Sequence, residues 1–191
     1  MKAIKQFDKL TIALWFYCSI VVLLNLRCSA GSSTDQNNSI TTMNNETQHT
    51  NNPYYSRTDT TTLNVSDAEW KKVLSDSVYQ VARNKATEYA FSGKYWNFEG
   101  TGTYYCAACG NALFRSDSKF ANGCGWPSFF ESIRKNSTTY VTDNSIGMAR
   151  TEVLCTRCGS HLGHIFDDGP PPTGKRYCMN SIVLDFEPDK K

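Results

Sequence analysis

Two copies of Cys-x-x-Cys-Gly constrain this chain more than any other feature. The first is Cys106-Ala-Ala-Cys109-Gly110, the second Cys155-Thr-Arg-Cys158-Gly159. Each has the look of a zinc knuckle, a tight turn that brings two thiolates to one metal. The gap between the pairs is longer than in small zinc fingers. A shared ion would therefore join distant strands of one domain. The competing interpretation is a pair of structural or redox disulfides, which a chain entering an oxidising compartment would favour.

The start of the chain bears on that compartment. Lys2, Lys5 and Lys9 precede an apolar run from Leu10 to Leu26, and small residues follow up to Ala30. This order describes a secretory signal peptide over residues 1–30, cleaved after Ala30. The rival is an uncleaved membrane anchor, for which a run this short, with Asn25 inside, is near the lower limit. Either way the remainder is expected in the secretory pathway, secreted or in the endoplasmic reticulum lumen. Membrane attachment is expected only if the segment is retained.

Residues 31–65 are rich in Ser, Thr, Asn and Gln and read as a disordered linker, because they offer little apolar surface to offset ordering. Sequons stand at Asn37, Asn45, Asn64 and Asn136. His49 lies in this stretch and carries no expected role. The net charge of +2 gives no basis for binding nucleic acid or an acidic membrane surface.

From residue 66 the chain reads as one domain, 66–188. Ser66 with Glu69 forms a capping box before Trp70, Val73 and Leu74, so a helix is expected to start there. Ser75 opens a second short helical turn. Beyond Phe91, short β-rich runs alternate with Gly, Pro, Asn and Asp: "GTYYCA", "TTYVT", "GMARTEVL" and "SIVLDFE". In the last run, alternation puts Ile182, Leu184 and Phe186 on one face and Val183 and Asp185 on the other. Short strands between turns suggest a sandwich or barrel-like β domain.

Of eight cysteines, Cys18 and Cys28 lie in the expected signal and four in the knuckles. Cys124 in "GCGWPS" and Cys178 in "RYCMNS" have no near neighbour. They could form a permanent disulfide, stay as buried thiols, or react. An extended strand puts Arg176, Cys178 and Asn180 on one face. A guanidinium there would favour the thiolate, and the Asn180 amide could orient a polar group. Trp126 supplies an apolar wall beside Cys124. His161 and His164 form "HLGH" directly after the second knuckle, and could be extra metal ligands or general acids.

Taken together, "YYCAACGNALF", "GCGWPSF" and "CGSHLGHIFDDGPPPTGKRYCMNSIVLDF" resemble the B-type methionine sulfoxide reductases over roughly Ser66 to Pro188. The resemblance implies a mainly β fold of two antiparallel sheets, a β-sandwich or tent, with short N-terminal helices. It implies reduction of the R epimer of methionine sulfoxide, free or in proteins. Cys178 matches the catalytic cysteine, which becomes a sulfenic acid, and Cys124 the resolving cysteine. A thioredoxin-like dithiol would reduce the resulting disulfide. Trp126 resembles the residue packed on the substrate methyl. His161, His164 and Asn180 resemble the polar set around the sulfoxide oxygen, and Arg176 the arginine near the nucleophile. Cys106, Cys109, Cys155 and Cys158 match the ligands of one structural zinc per chain. A monomer is expected. The departures, Tyr89-Ala90 and Asn122, are not expected to touch the chemistry. An oxidising compartment would hold Cys124 and Cys178 as a disulfide, so an electron donor is required there. The alternatives are a zinc-stabilised binding module without catalysis and a disulfide scaffold using all six remaining cysteines.

Overall fold

Ser66 and Ser75 each end an extended stretch and open a helix. In the computed structural model, which describes His49 and residues 51–145 and 147–190, α1 spans Asp67–Val73 and α2 spans Asp76–Ala82. The Ser66 hydroxyl accepts from Glu69 N–H at 3.3 Å, and Ser75 does the same for Val78 at 3.4 Å. Only half of the capping box forms, because the Glu69 carboxylate takes Lys72 instead. Helices this short are unstable alone. Their anchor is packing: Trp70 is fully buried, with Tyr54 edge-on to its ring at 5.1 Å.

The rest of the fold is two antiparallel sheets, as expected. In the smaller, β1 (Gly102–Cys106) lies between β2 (Ala112–Arg115) and β9 (Leu184–Pro188). The larger has the order β3-β4-β8-β7-β6-β5. Its strands are β3 (Lys119–Phe120), β4 (Ser128–Phe129), β5 (Thr138–Asp143), β6 (Arg150–Cys155), β7 (His161–Phe166) and β8 (Arg176–Met179). Aromatic rings from both sheets make the centre of the core. Phe114 of β2 stacks on Phe129 of β4 at 4.4 Å, and Tyr104 of β1 meets Phe129 edge-on at 5.0 Å. Truncating such a ring to Ala costs about 3–5 kcal/mol.

Two expectations need correction. "SIVLDFE" is not one strand. Ser181–Val183 is a 3-10 turn and β9 begins at Leu184. The Glu88 carboxylate accepts from the N–H groups of Ser181 and Ile182, at 2.5 and 3.1 Å, and this turns the chain. The alternation breaks there, so Val183 is buried and Ile182 only half-buried.

The second concerns the linker expected over 31–65. From residue 51 it is laid against the domain. Asn52 donates to Ala108 O at 2.9 Å, Ser56 N–H to Cys109 O at 2.9 Å, and Leu63 N–H to Arg157 O at 2.7 Å. His49, expected to be idle, bonds the buried Asp185 carboxylate at 2.7 Å, and Tyr55 reaches the same oxygen at 2.9 Å. Backbone pairing and tyrosines anchor this segment where aliphatic residues are scarce. The expected signal peptide, the first part of the linker, Asn37 and Asn45 lie outside the described residues. Among the described residues no helix is long and apolar enough to cross a membrane.

Candidate active site and metal centre

Each Cys-x-x-Cys folds as a tight turn closed by its glycine. Gly110 N–H donates to Cys106 O at 2.7 Å, and Gly159 N–H to Cys155 O at 2.8 Å. Both glycines have left-handed backbones, φ +80° and +71°, which a side chain would strain. The knuckles follow β1 and β6, one from each sheet, and face each other. The four sulfurs lie within 4.8 Å of one another and all four cysteines are buried. Cys106 Sγ stands 3.7 Å from Cys158 Sγ, and Cys109 Sγ 3.6 Å from Cys155 Sγ. Four sulfurs about 2.3 Å from one zinc are about 3.8 Å apart along a tetrahedron's edges. The spacing fits that ion. Mutual hydrogen bonds within the buried set hold the Cys158 thiol well below its ordinary value and push Cys106 and Cys109 well above theirs. A buried thiolate needs a cation beside it. The tetrathiol set leaves no place for His161 or His164 as a ligand, and both point to other partners.

The remaining two cysteines meet on the larger sheet. Cys178 is in β8, between β4 and β7. Cys124 is on the loop before β4. Their sulfurs are 3.6 Å apart and neither is disulfide-bonded. Formation of an S–S bond of about 2.05 Å needs only a small closure. In register, Cys178 faces Ser128 of β4 and His164 of β7. Gly163 makes that approach possible, since a Cβ on it would stand 2.1 Å from Cys178 O.

Arg176 pulls the Cys178 thiol down, in the expected direction, but weakly, because its guanidinium is engaged elsewhere. Its guanidinium makes two bonds of 2.8 Å with Asp168 and lies over the Phe166 ring at 4.2 Å. Burial first, then Cys124, pushes the Cys178 thiol up to about 12, and the arginine's opposing pull does not win. The Cys124 thiol is lowered: burial raises it, but hydrogen bonds with the Trp126 backbone, Cys178, Ser128 and Asn122 outweigh that.

Each imidazole is oriented by a carboxylate. His161 Nδ1 lies 2.7 Å from Glu152 Oε1, and Glu152 Oε2 accepts from Lys85 at 2.8 Å. A carboxylate only accepts, so Nδ1 carries the proton and Nε2 keeps its lone pair. Burial lowers His161, favouring this neutral ring despite Glu152. His164 Nε2 lies 2.8 Å from Asp143, which also pairs with Arg150. The two rings are 5.5 Å apart. Trp126 donates its indole N–H to Glu88 O at 3.2 Å, which fixes the ring against the 88–91 loop.

The structure thus gathers Cys124, Cys178, Trp126, His161 and His164 at one place, with Arg176 at its margin. Asn180 belongs to the frame. Its oxygen accepts from Glu88 N–H at 3.0 Å and its nitrogen donates to Leu162 O at 3.1 Å, so both ends are engaged by backbone. Sequence reasoning missed Glu152, Asp143, Glu88 and Ser128. An acid directly before Val153-Leu154 in a β-rich run was the available signal for Glu152. Asn122 was set aside as remote, but its oxygen accepts from Cys124 N–H at 3.0 Å and its amide donates to Ser128 Oγ at 2.6 Å. Chemically, two thiols in contact, two oriented imidazoles and an indole can exchange an oxygen for a disulfide.

A model described as the SelR domain matches residues 74–188. Similar curated proteins carry the name peptide methionine sulfoxide reductase MsrB. That of Thiobacillus denitrificans is 53% identical over 123 residues, 64% of this chain and 93% of its own length. Its counterpart in Methanosarcina barkeri is 52% identical over 126 residues, 66% and 89% of the two chains. A third, from Agrobacterium fabrum, is 51% identical over 126 residues, 66% and 93%.

Proposed function

The chain belongs to the SelR-domain family, that of the peptide methionine sulfoxide reductases, and from that premise we propose how it works. It is an oxidoreductase that reduces methionine sulfoxide. Its substrate is the R epimer, in proteins or as the free amino acid. The observation that carries this reading is the Cys124–Cys178 pair, 3.6 Å apart beside His164 and separate from the tetrathiol cluster.

Cys178 attacks the sulfoxide sulfur. The S–O bond breaks, methionine leaves, and Cys178 holds the oxygen as a sulfenic acid. Attack pushes negative charge onto the oxygen, which must be protonated. The proton comes from the Cys178 thiol: the free Nε2 of neutral His161, held by Glu152, can accept it and pass it to the oxygen, His164, held by Asp143, completes the polar surround, and Trp126 packs on the substrate methyl. Cys124 then displaces water from the sulfenic acid and forms a disulfide. A thioredoxin-like dithiol reduces that disulfide by exchange. Cys106, Cys109, Cys155 and Cys158 hold one zinc, which ties the two sheets together and takes part in no step. The protein acts as a monomer after entry into the secretory pathway, in protein repair under oxidative stress. A binding module without catalysis leaves the close dithiol unexplained.

Separated sulfoxide epimers test this with two variants. Cys178→Ser is expected to abolish reduction of the R epimer. Cys124→Ser is expected to complete one turnover and then stall with a thioredoxin-like reductant. Sustained turnover in that variant at the unaltered rate would overturn the resolving role of Cys124.

A further inference from the structure

Cys124 sits between Gly123 and Gly125, whose backbones are left-handed at φ +70° and +88°. The two glycines are held differently. Gly125 O accepts from Phe91 N–H at 2.8 Å, and a Cβ at Gly125 would meet that nitrogen at 2.7 Å. Around Gly123, beyond its two chain neighbours, there is no heavy atom within 4 Å of where a Cβ would stand. Glycine has the widest backbone freedom of any residue. One side of the loop is therefore gripped and the other is open.

On the open side Asn122 reaches from the loop to the sheet. Asn122 Oδ1 accepts from Cys124 N–H at 3.0 Å, the side-chain turn that Asn forms two residues along. Its Nδ2 donates to Ser128 Oγ at 2.6 Å. Ser128 is buried in β4, faces Cys178 in register, and its Oγ lies 3.8 Å from Cys124 Sγ. One side chain thus spans from the loop to the strand beside the nucleophile.

We infer that Asn122 is a positioning residue for the resolving step, tying the Cys124 loop to Ser128 so that the Cys124 sulfur stays within reach of Cys178. This rests on the roles given above to the two cysteines. The step is Cys178–SOH plus Cys124–SH giving the Cys178–Cys124 disulfide and water. The S–S bond forms, the S–O bond breaks, and the thiol proton leaves with the oxygen. Sulfur contact must shorten from 3.6 Å to about 2.05 Å. The glycines permit that closure, and Asn122 limits how far the thiol strays from its start. Its hydrogen bonding also assists ionisation of Cys124, together with that of Ser128. Asn122 is exposed, so water competes for both bonds and the effect is graded rather than absolute.

The test mixes the reduced full-length chain with a peptide containing the R-sulfoxide and quenches at intervals. Methionine release and the Cys124–Cys178 disulfide are both followed by alkylation and mass spectrometry. The readout is the ratio of the two rates. Asn122→Ala is expected to lower the ratio of disulfide formation to methionine release about tenfold, with sulfenic acid accumulating on Cys178. Asn122→Asp keeps an acceptor for Cys124 N–H but adds a negative charge. It is expected to move the pH midpoint of disulfide formation upward, which a purely structural role would not do. A ratio within twofold of the unaltered chain in Asn122→Ala, or an unmoved midpoint in Asn122→Asp, would overturn the inference. Absence of methionine release by the unaltered chain would overturn the activity itself, and this inference with it.

Discussion

Cys178 and Cys124 divide their acidity unevenly. Burial and its neighbour raise Cys178 to about 12, while Cys124 is lowered. The sign of the next change follows. Replacing Cys124 by Ser removes one of the raising influences on Cys178 but not burial, which is the larger. The pH midpoint for alkylation of Cys178 is expected to fall in Cys124→Ser and to stay above that of an ordinary thiol. Mass-spectrometric alkylation rates across pH measure it; an unchanged or higher midpoint would contradict the account. At this scale the cysteines, Trp126 and both histidines were legible, because their residue types are scarce and chemically marked. Arg176 was legible in the sign of its effect on Cys178 but not in its size, since its partner Asp168 is set by the turn between β7 and β8 and not by strand alternation. Glu152 and Asp143 were illegible as partners. They meet His161 and His164 across strand pairings that the linear sequence does not reveal.

The elements were legible where period and punctuation agreed. Ser66 and Ser75 begin helices, and "TTYVT" and "GMARTEVL" cover all but the last residue of β5 and β6. "SIVLDFE" failed because Glu88, far away in sequence, draws two backbone N–H groups into a 3-10 turn. Composition also failed for 51–65, where tyrosines and backbone hydrogen bonds hold a polar segment on the first knuckle. A bound metal would matter most at the junction of the two sheets. Cys106 ends β1 and Cys155 ends β6, so a bound ion crosslinks them. Metal analysis is expected to give about one zinc per chain. Cys106→Ser or Cys158→Ser is expected to lose it and to lower the thermal midpoint, by more than the about 2–4 °C that 1 kcal/mol is worth in a domain approaching 150 residues. Full stability without bound metal would contradict the crosslink.

For the whole molecule, the architecture separates two sulfur chemistries. Four cysteines are buried between the sheet ends as a tetrahedral set. Two half-buried thiols lie on the larger sheet next to the carboxylate-held imidazoles. Segment 51–65 packs onto the knuckle side through Asn52, Ser56 and Leu63, so the folded unit begins before Ser66. Under the proposed mechanism, this separation would let one domain keep a metal-held thiolate cluster apart from a cycling dithiol. Thiol counting after a single turnover, with separated epimers and no reductant, tests it most directly. With the R epimer, the expected result is one methionine per chain, one Cys124–Cys178 disulfide, and Cys106, Cys109, Cys155 and Cys158 unoxidised; the S epimer should give none. Equal reduction of both epimers, or a disulfide that draws in any knuckle cysteine, would contradict the account.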